Sequence, residues 1–351
     1  MSPAFSIEER LVGEGAPTLV VAEIGANHDG DPDIAAALVE MAAEAGADAV
    51  KFQTYTAAEL LADPDRVITW GPAGAERSEP VGAMFDRLAL PRAEHQRLFD
   101  HARKLGLIPF STPFSVAGVR FLTELGAPLH KIASSDLSHL ELLDAAGTSG
   151  VPVLLSTGKA TVGETDTAVQ RLLGHGPPGV GVLHCVASYP APTHELNLRA
   201  IPTLAALFPE CVVGLSDHSL GIAGALGAVA LGARVIEKHV TLDQGRTGPD
   251  HWFSADPAEL AALVGGIRQL EAALGSTAKR VQPSEEPERL AANRSLVTAA
   301  PVAAATPLTR QLLAVVRPGR GIHPFDLPKV LGLRPARDLP GGHVLTWDDF
   351  K

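Results

Sequence analysis

Two histidines occur where their side chains could bind one metal ion. His218 follows the run VVGLSD, and His239 follows the run ARVIEK. If these runs are neighbouring parallel strands, ~4.8 Å apart, both imidazoles can reach a single divalent cation. Two protein ligands leave coordination positions open for water or substrate, as a catalytic metal site requires. The pattern predicts a metal site at His218 and His239, and the alternative is two hydrogen-bonded core histidines.

Lysines and hydroxyl side chains stand at the ends of other apolar runs. Lys51 lies in AVKFQT and Lys131 in LHKIAS. The hydroxyl groups at comparable positions are those of Thr112, Ser134, Ser156 and Ser216. Point charges combined with neutral donors suit a ligand that carries both a phosphate and a carboxylate. We expect an anion-binding site here, and the alternative is that the two lysines are surface residues or structural ion-pair partners.

Glu23 is an acid inside the apolar run VVAEIGA. Its structural interpretation is a buried ion-pair partner for Lys51 or Lys131. Its functional interpretation is a general base or a partner of metal-bound water, because such a run can end at an active site. The residues alone leave both interpretations open.

All of these residues lie on β-branched runs that alternate with amphipathic helical patterns. The predicted strands are Leu19–Ala26, Ala49–Thr54, Ile108–Pro113, His130–Ser135, Val151–Thr157, Val180–Ala187, Val212–Ser216 and Arg234–Val240. Apolar strands that alternate with helices indicate a parallel sheet covered by helices. Eight such units over about 250 residues predict a (β/α)8 TIM barrel, whose catalytic groups project from the C-terminal strand ends. No GxGxxG motif follows the first strand, which disfavours a dinucleotide-binding fold.

The sequence divides into three segments that differ in composition. We predict a barrel domain at residues 1–275, a polar linker at 276–293 and a small β-rich domain at 294–351. Within the barrel, Tyr55–Leu90 is rich in Pro and Gly and too long for an ordinary connection, so we expect a lid or an insertion there. The small domain has fewer than 60 residues, so we expect it to be only marginally stable alone and to pack against another domain or subunit.

Composition excludes several classes of function. The chain has 351 residues, a formal net charge of −11 and 46% apolar residues. An acidic chain of this kind is not expected to bind nucleic acid through bulk electrostatics. No stretch approaches the ~18 apolar residues of a membrane span, so we expect no membrane association and a cytoplasmic protein. Cys185 and Cys211 both lie in apolar runs and are predicted to be free, buried thiols.

A series of motifs, in order along the chain, carries a resemblance to a known family. The motifs are AEIGANHDG, KFQTY, FSTPF, HKIASSD, LLSTGKA, LHCVASYPAP, GLSDHS, EKHVTLD and GPDH. The ordered set resembles the N-acetylneuraminate (sialic acid) synthase family, which includes pseudaminic and legionaminic acid synthases. The tail, with VVRPGRGIHPFDL and VLTWDDF, resembles the SAF (antifreeze-like) domain of these enzymes.

The resemblance implies roles for individual residues. It implies that Glu23 is the catalytic acid or base, and that His218 and His239 bind Mn²⁺ or a similar ion such as Mg²⁺ or Co²⁺. It implies that phosphoenolpyruvate is held by Lys51, Thr112, Lys131, Ser134, Ser156 and Ser216. The residues expected to contact an amino sugar are Gln53, Asp136, Tyr189, Asp250 and Arg317. The family forms a domain-swapped homodimer, so Arg317 is expected to reach the active site of the partner subunit.

One position departs from the family pattern. Sialic acid synthases usually carry Asn before the Tyr-Pro motif of the sixth strand, where this chain has Ala187 followed by Ser188-Tyr189-Pro190. A lost polar contact suggests an acceptor other than N-acetylmannosamine, such as a diacetamido trideoxy hexose. The sequence does not choose among these sugars.

The expected reaction joins phosphoenolpyruvate to the sugar aldehyde, with water addition, C–O cleavage and phosphate release. Three alternatives stay open at this point. One is another phosphoenolpyruvate-dependent ulosonic acid synthase on the same barrel, and the second is a catalytically retired sugar-binding homologue. The third is a metal-dependent aldolase or isomerase, because barrels host many chemistries.

Overall fold

The computed structural model describes residues 3–351 and divides the chain into two compact units. The first unit extends to Gly275, and the second comprises Ser276–Lys351. Each unit has its own apolar core.

The first unit contains twelve strands: β1 (Ala4–Ile7), β2 (Arg10–Gly13), β3 (Leu19–Glu23), β4 (Ala49–Thr54), β5 (Val67–Trp70), β6 (Arg77–Pro80), β7 (Ile108–Pro113), β8 (His130–Ile132), β9 (Val153–Ser156), β10 (Val180–Cys185), β11 (Val212–Asp217) and β12 (Val235–His239). Eight of them close into a parallel barrel in the order β3-β4-β7-β8-β9-β10-β11-β12. The predicted (β/α)8 barrel is confirmed, because each predicted strand overlaps one barrel strand. Consecutive barrel strands pair with each other, so their C-terminal ends meet at one rim.

Helices connect the strands: α1 (Pro32–Glu44), α2 (Ala57–Leu60), α3 (Val81–Leu88), α4 (His95–Lys104), α5 (Val116–Glu124), α6 (Leu140–Gly147), α7 (Val162–His175), α8 (Ala200–Leu207), α9 (Ala223–Ala230) and α10 (Pro257–Leu274). Their ends follow local sequence signals. Asp31 caps α1 through its side chain, with Pro32 at the first position, and Thr161 forms a capping box with Glu164 at α7. These caps satisfy backbone N–H groups that have no partner within the helix.

The N-terminal strands β1 and β2 form an antiparallel hairpin that covers the N-terminal end of the barrel. Phe5, Ile7 and Val12 join one apolar cluster with residues of seven barrel strands, including Leu19 and Val235. A Cβ atom on Gly179 would clash with the Phe5 side chain, so Phe5 packs where only glycine fits. The hairpin therefore closes the end of the barrel opposite the C-terminal rim.

The long connection after β4 is folded. It contains α2, the antiparallel hairpin β5–β6 and α3. Val81, Met84 and Leu88 of α3 are buried in a small apolar cluster with Ala26. Segment Tyr55–Leu90, for which we expected a lid or an insertion, is an ordered insertion at the C-terminal rim, because Ala26 follows β3.

The second unit is built around a small two-stranded sheet. Strand β13 (Ser295–Thr298) pairs antiparallel with β14 (Leu313–Val316), and Val297 also bridges Val344. Two helices belong to this unit, α11 (Glu286–Ala292) and α12 (Leu327–Val330). Segment 276–293, for which the sequence predicted a linker, holds α11 and clusters with this unit. The prolines that suggested a linker stand in the first turns of a 3-10 helix and of α11, where proline is favourable.

Cysteine and membrane predictions have structural outcomes. Cys185 and Cys211 are free and buried, as predicted. Among residues 3–351, no helix is long and apolar enough to cross a membrane.

Candidate active site

A cavity of about 250 Å³ opens at the C-terminal rim of the barrel. This volume is close to the lower end of the ~300–1,000 Å³ range of small-molecule sites. Most of the predicted site residues line it: Lys51, Gln53, Thr112, Lys131, Ser134, Ser156, Tyr189, Ser216, His218, His239 and Asp250. Residues from all parts of the barrel sequence thus converge on one small volume.

The floor of the cavity is a buried network of two lysines and two carboxylates. Lys51 Nζ forms an ion pair with Glu23 and lies 3.9 Å from Glu237 Oε2. Lys131 Nζ lies 3.4 Å from Glu237 Oε1. Lys51 also donates to Thr112 Oγ1 at 2.8 Å. All five side chains are at least 95% buried, so the lysines are not surface residues. Both are ion-pair partners, as the structural alternative expected, and both also line the cavity.

Burial and pairing shift the pKa values of the floor residues in different directions. Burial opposes the charged form of Glu237, but the nearby Lys131 and Lys51 ammonium groups dominate and lower its pKa to about 2. Burial raises the pKa of Glu23, although Lys51 opposes that shift. The pKa of Lys51 is raised because Glu23 and Glu237 outweigh its burial, whereas burial lowers the pKa of Lys131. Glu237 is therefore a fixed negative charge, and Glu23 is the carboxylate suited to holding a proton.

Strand register and alternation create this arrangement. In the barrel, β12 pairs with β3 so that His239 lies opposite Glu23, and β3 pairs with β4 so that Glu23 lies opposite Lys51. Successive side chains of a strand point to opposite faces, so Glu237 and His239 share the inward face of β12. The sequence identified Glu237 only as a neighbour of His239. This period-two spacing was the available signal that Glu237 also belongs to the site.

The hydroxyl groups differ in how they are satisfied. Ser216 Oγ donates to Glu237 Oε1 at 2.9 Å, and Ser134 Oγ accepts from the Gly158 backbone N–H at 2.9 Å. Ser156 Oγ is buried and has no hydrogen-bond partner among residues 3–351. Buried polar atoms in proteins are usually paired. An unpaired hydroxyl that lines the same cavity as two lysines is therefore a feature that a bound anion would satisfy.

His218 and His239 lie next to each other, with ring centroids 5.4 Å apart. His218 Nδ1 lies 3.0 Å from the carbonyl of Val186, which can only accept, so this nitrogen carries the proton and Nε2 keeps its lone pair. His239 Nδ1 is buried without a hydrogen-bond partner among the described residues, 3.7 Å from Asp250 Oδ2. Burial lowers the pKa of both histidines, and neutral imidazole is the form that binds metals.

The chemistry of these donors fits a divalent ion bound by two histidines. Across residues 3–351 there is no group of three or more His, Cys, Asp or Glu side chains arranged to hold a metal. A site based on His218 and His239 would therefore need water or substrate for its remaining ligands, as catalytic sites do.

A second buried ion pair joins the strand ends that carry the histidines. Lys238 Nζ donates to Asp217 Oδ2 at 2.9 Å and to the Ser219 carbonyl at 2.6 Å. Asp217 Oδ1 accepts from the Ser219 backbone N–H at 2.9 Å. Asp217 and Lys238 each adjoin one histidine in sequence, so the pair fixes the spacing of the two imidazoles.

The residues expected to contact a sugar fall into three groups. Gln53, Tyr189 and Asp250 line the cavity, and burial raises the pKa of Asp250 to about 7. Asp136 follows β8, and its buried Oδ2 has no hydrogen-bond partner within the described part of the chain, but Asp136 is not among the lining residues. Arg317 belongs to the second unit, where it is exposed.

Glu23 also does not line the cavity. Its carboxylate contacts two residues that line the cavity. Lys51 forms an ion pair with Glu23, and Gln53 Nε2 donates to Glu23 Oε1 at 2.9 Å. Lining residues that the sequence did not assign to the site include Phe85 of the insertion, Phe114 after β7 and Lys159 after β9. Phenylalanines carry no chemical signal in a sequence, and their place depends on long-range packing.

Comparisons with known proteins agree with this geometry. The NeuB family model matches residues 38–279, and the SAF domain model matches residues 293–351. An uncharacterized protein of Methanocaldococcus jannaschii is 40% identical over 346 residues, which are 99% of this chain and 98% of the relative. The N,N'-diacetyllegionaminic acid synthase of Legionella pneumophila is 35% identical over 343 residues, 97% of this chain and 96% of the relative.

A solved structure is similar as well. The N-acetylneuraminic acid synthetase of Leptospira borgpetersenii has a TM-score of 0.74 and 36% identity, and the match covers 82% of this chain and 95% of that one. The family model spans more than half of this chain, and the relatives match it almost from end to end. The chain belongs to the NeuB family of sialic acid synthases and carries a C-terminal SAF domain.

Proposed function

We propose that this chain condenses phosphoenolpyruvate with the open-chain aldehyde of an N-acylamino sugar, forms a nonulosonic acid and releases inorganic phosphate. The observation that carries the proposal is the cavity in which two buried lysines and several hydroxyls adjoin two histidines. The printed name of the Legionella relative, a diacetyllegionaminic acid synthase, supports the same class of product.

The anionic substrate fits the floor of the cavity. Lys51, Lys131 and the unpaired Ser156 hydroxyl offer cations and a donor to the phosphate and carboxylate of phosphoenolpyruvate. Hydrogen bonds between charged partners are among the strongest in proteins. The predicted ligands Thr112, Ser134 and Ser216 complete this set, and holding two substrates face to face is the largest contribution of the barrel rim.

The π electrons of the C2=C3 bond of phosphoenolpyruvate form the new bond from C3 to the aldehyde carbon, and the aldehyde oxygen becomes an alkoxide. Water adds to C2, and the proton that it gives up reaches this alkoxide. The bond from C2 to the bridging oxygen then breaks, phosphate leaves with the electron pair, and the C2 hydroxyl becomes a ketone as its proton passes to the departing phosphate. Glu23 would accept and return the proton of the water, because burial raises its pKa above that of an ordinary carboxyl and so makes it a stronger base.

His218 and His239 would hold a divalent ion, for which we propose Mn²⁺, with Mg²⁺ and Co²⁺ as alternatives. When bound, this ion would supply Lewis-acid polarisation of the aldehyde oxygen. The two imidazoles are oriented for this task by the Val186 carbonyl and by the buried pair of Asp217 and Lys238.

The test is phosphate release from phosphoenolpyruvate with Mn²⁺ present, across a panel of acceptors. The panel holds N-acetylmannosamine, diacetamido trideoxy hexoses and arabinose 5-phosphate. We expect release with one amino sugar and loss of release in EDTA. Release with arabinose 5-phosphate alone would instead identify a different ulosonic acid synthase. Bridging oxygen-18 in phosphoenolpyruvate should appear in phosphate, and its recovery in the product acid would contradict C–O cleavage.

Ala187 guides the choice within the panel. It lines the cavity, at a position where the family usually offers a polar amide. An apolar side chain there favours a diacetamido trideoxy hexose over N-acetylmannosamine, because it provides no partner for a polar group of the latter.

We also propose a domain-swapped homodimer in which the partner subunit's Arg317 reaches each active site. Arg317 is exposed on its own unit and has no carboxylate partner among residues 3–351. Mixing inactive Glu23→Gln and Arg317→Ala subunits after reversible dissociation tests this proposal. Hybrid dimers would contain one intact site in two, so about a quarter of wild-type activity should return. No return of activity would show that Arg317 acts on its own barrel, and full activity of Arg317→Ala alone would show that it has no role.

A further inference from the structure

Lys159 is a third lysine in the cavity, and neither the fold nor the floor network explains it. It follows β9 by three residues and lines the cavity, while its side chain is largely exposed. Its backbone has a φ of +64°, in the left-handed region that a side chain disfavours. Strained non-glycine residues of this kind cluster at functional sites. A glycine here would be easier to fold, so the lysine side chain itself needs an explanation.

The contacts of Lys159 place its ammonium beside the expected anion site. Nζ donates to Ser135 Oγ at 2.9 Å. Its neighbour in the chain, Gly158, donates its backbone N–H to Ser134 Oγ at 2.9 Å, and both serines line the cavity. Among the residues that the structure describes, no carboxylate lies within ion-pair distance of Lys159, unlike Lys51 and Lys131.

The charges in the cavity indicate what Lys159 could bind. On the floor, Lys51 and Lys131 face Glu23 and Glu237, so much of their positive charge is already compensated. Phosphoenolpyruvate carries a carboxylate and a phosphate whose charge at pH 7 is about −1.5 to −2. Within residues 3–351, Lys159 is the lysine of the cavity lining that has no carboxylate within ion-pair distance.

We propose that Lys159 binds one of the two anionic groups of phosphoenolpyruvate, at the outer side of the site beside Ser134. This inference rests on the proposed function and adds Lys159 to the residues that bind phosphoenolpyruvate. The competing assignment is that Lys159 serves the sugar, because Asp136, a residue expected to contact the sugar, is close enough for the Lys159 ammonium to oppose the rise in its pKa that burial causes.

The experiment is calorimetric titration of the whole protein with phosphoenolpyruvate, compared for wild type, Lys159→Met and Lys159→Gly. The glycine variant relieves the strained backbone, so it keeps the test valid if the methionine variant folds poorly. We expect both variants to bind phosphoenolpyruvate about 10- to 100-fold more weakly, the effect of losing a hydrogen bond between charged groups. Lys159→Arg should retain most of the affinity, and Lys104→Met, at an exposed lysine of α4, should bind like wild type.

Steady-state kinetics and competitors separate the remaining outcomes. The KM for phosphoenolpyruvate should rise in Lys159→Met while the KM for the sugar stays constant. A weaker Ki for inorganic phosphate would assign the lysine to the phosphate, and a weaker Ki for pyruvate would assign it to the carboxylate. Unchanged binding of phosphoenolpyruvate, or a rise in KM confined to the sugar, would overturn the inference. Wild type that does not bind phosphoenolpyruvate at all would overturn the proposed function itself.

Discussion

The two ends of the barrel are built from the same strands but from different side chains. At the N-terminal end, inward residues such as Val21, Phe110 and Val235 pack with Phe5 of the hairpin in an apolar cluster. Two residues further along the same strands, on the same inward face, lie Glu23, Thr112 and Glu237. The C-terminal end of the barrel is therefore polar and charged. One strand thus contributes to stability at its start and to chemistry at its end. Mutations at the two ends should therefore separate activity from stability.

Glu23→Gln is expected to have the largest effect on activity. The amide keeps the shape of the side chain but cannot hold the proton of the attacking water. The kcat per folded molecule should fall about 10³-fold, within the range typical of a lost acid or base. The free energy of unfolding should fall as well, because Gln does not neutralise the buried Lys51 ammonium. Phosphate-release kinetics and calorimetry on the same preparation measure both quantities, and a kcat that falls only with the folded fraction would contradict the assignment.

Phe5→Ala is the matched change at the opposite end. Truncation of a buried Phe removes apolar contacts and leaves a cavity, so the free energy of unfolding should fall by about 3–5 kcal/mol. The kcat and KM of the folded enzyme should stay at wild-type values, because Phe5 lies at the closed end of the barrel. Denaturant unfolding gives the first quantity and kinetics at low temperature the second. A selective rise in the KM for phosphoenolpyruvate would show that the two ends are coupled.

Acid should destabilise the protein through histidines that serve the fold. His130, at the start of β8, is fully buried, and burial lowers its pKa to about 4. The unfolded chain, with an ordinary histidine pKa of ~6.5, binds more protons between these values, so stability is lost as pH falls from 6.5 to about 4. The maximum loss from this residue is about 3 kcal/mol.

His130→Gln should therefore show a smaller loss of unfolding free energy between pH 7 and pH 4.5 than wild type. His194→Gln is the control, because the His194 side chain is 84% exposed. Urea unfolding at the two pH values provides the comparison. Equal pH dependence in all three proteins would show that His130 is not a neutral buried group.

Ser156→Ala should have the smallest effect. It should weaken the binding of phosphoenolpyruvate without lowering the stability of the protein. The hydroxyl is buried without a partner among residues 3–351, so its removal should leave the free energy of unfolding unchanged or slightly higher. Affinity for phosphoenolpyruvate should fall about 3- to 10-fold, as expected for one lost hydrogen bond. Calorimetric titration and thermal unfolding check the two directions, and unchanged affinity would remove Ser156 from the anion site.

The barrel could be predicted from the sequence because its signals are local and repeated. Each barrel strand is a short apolar run bounded by turns, and polar residues stand at its end, as with Lys51 on β4 and His239 on β12. The N-terminal hairpin was missed because its strands have four residues each. Such short runs carry little pattern, and the packing of Phe5 against Gly179 joins distant parts of the chain.

The candidate site was predicted in its residue types but not in its connections. The role of Glu237 depends on Lys51 and Lys131 lying on either side of it, which only closure of the barrel achieves. Lys159 lies in the sequence motif LLSTGKA, but the sequence does not show that no carboxylate among residues 3–351 pairs with it in the folded cavity. Sequence patterns indicate where a chain can place a charge, whereas pairing depends on contacts between distant strands.

The most direct test of the account is the binding of phosphoenolpyruvate itself, independent of the acceptor sugar. Titration calorimetry would compare wild type with Lys131→Met, which removes a buried ammonium at the C-terminal end, and with Phe5→Ala at the closed end. We predict one phosphoenolpyruvate per chain for wild type and for Phe5→Ala, and a loss of at least about 100-fold in affinity for Lys131→Met. Equal affinity of wild type and Lys131→Met would contradict the central claim that the C-terminal end of the barrel is the anion site.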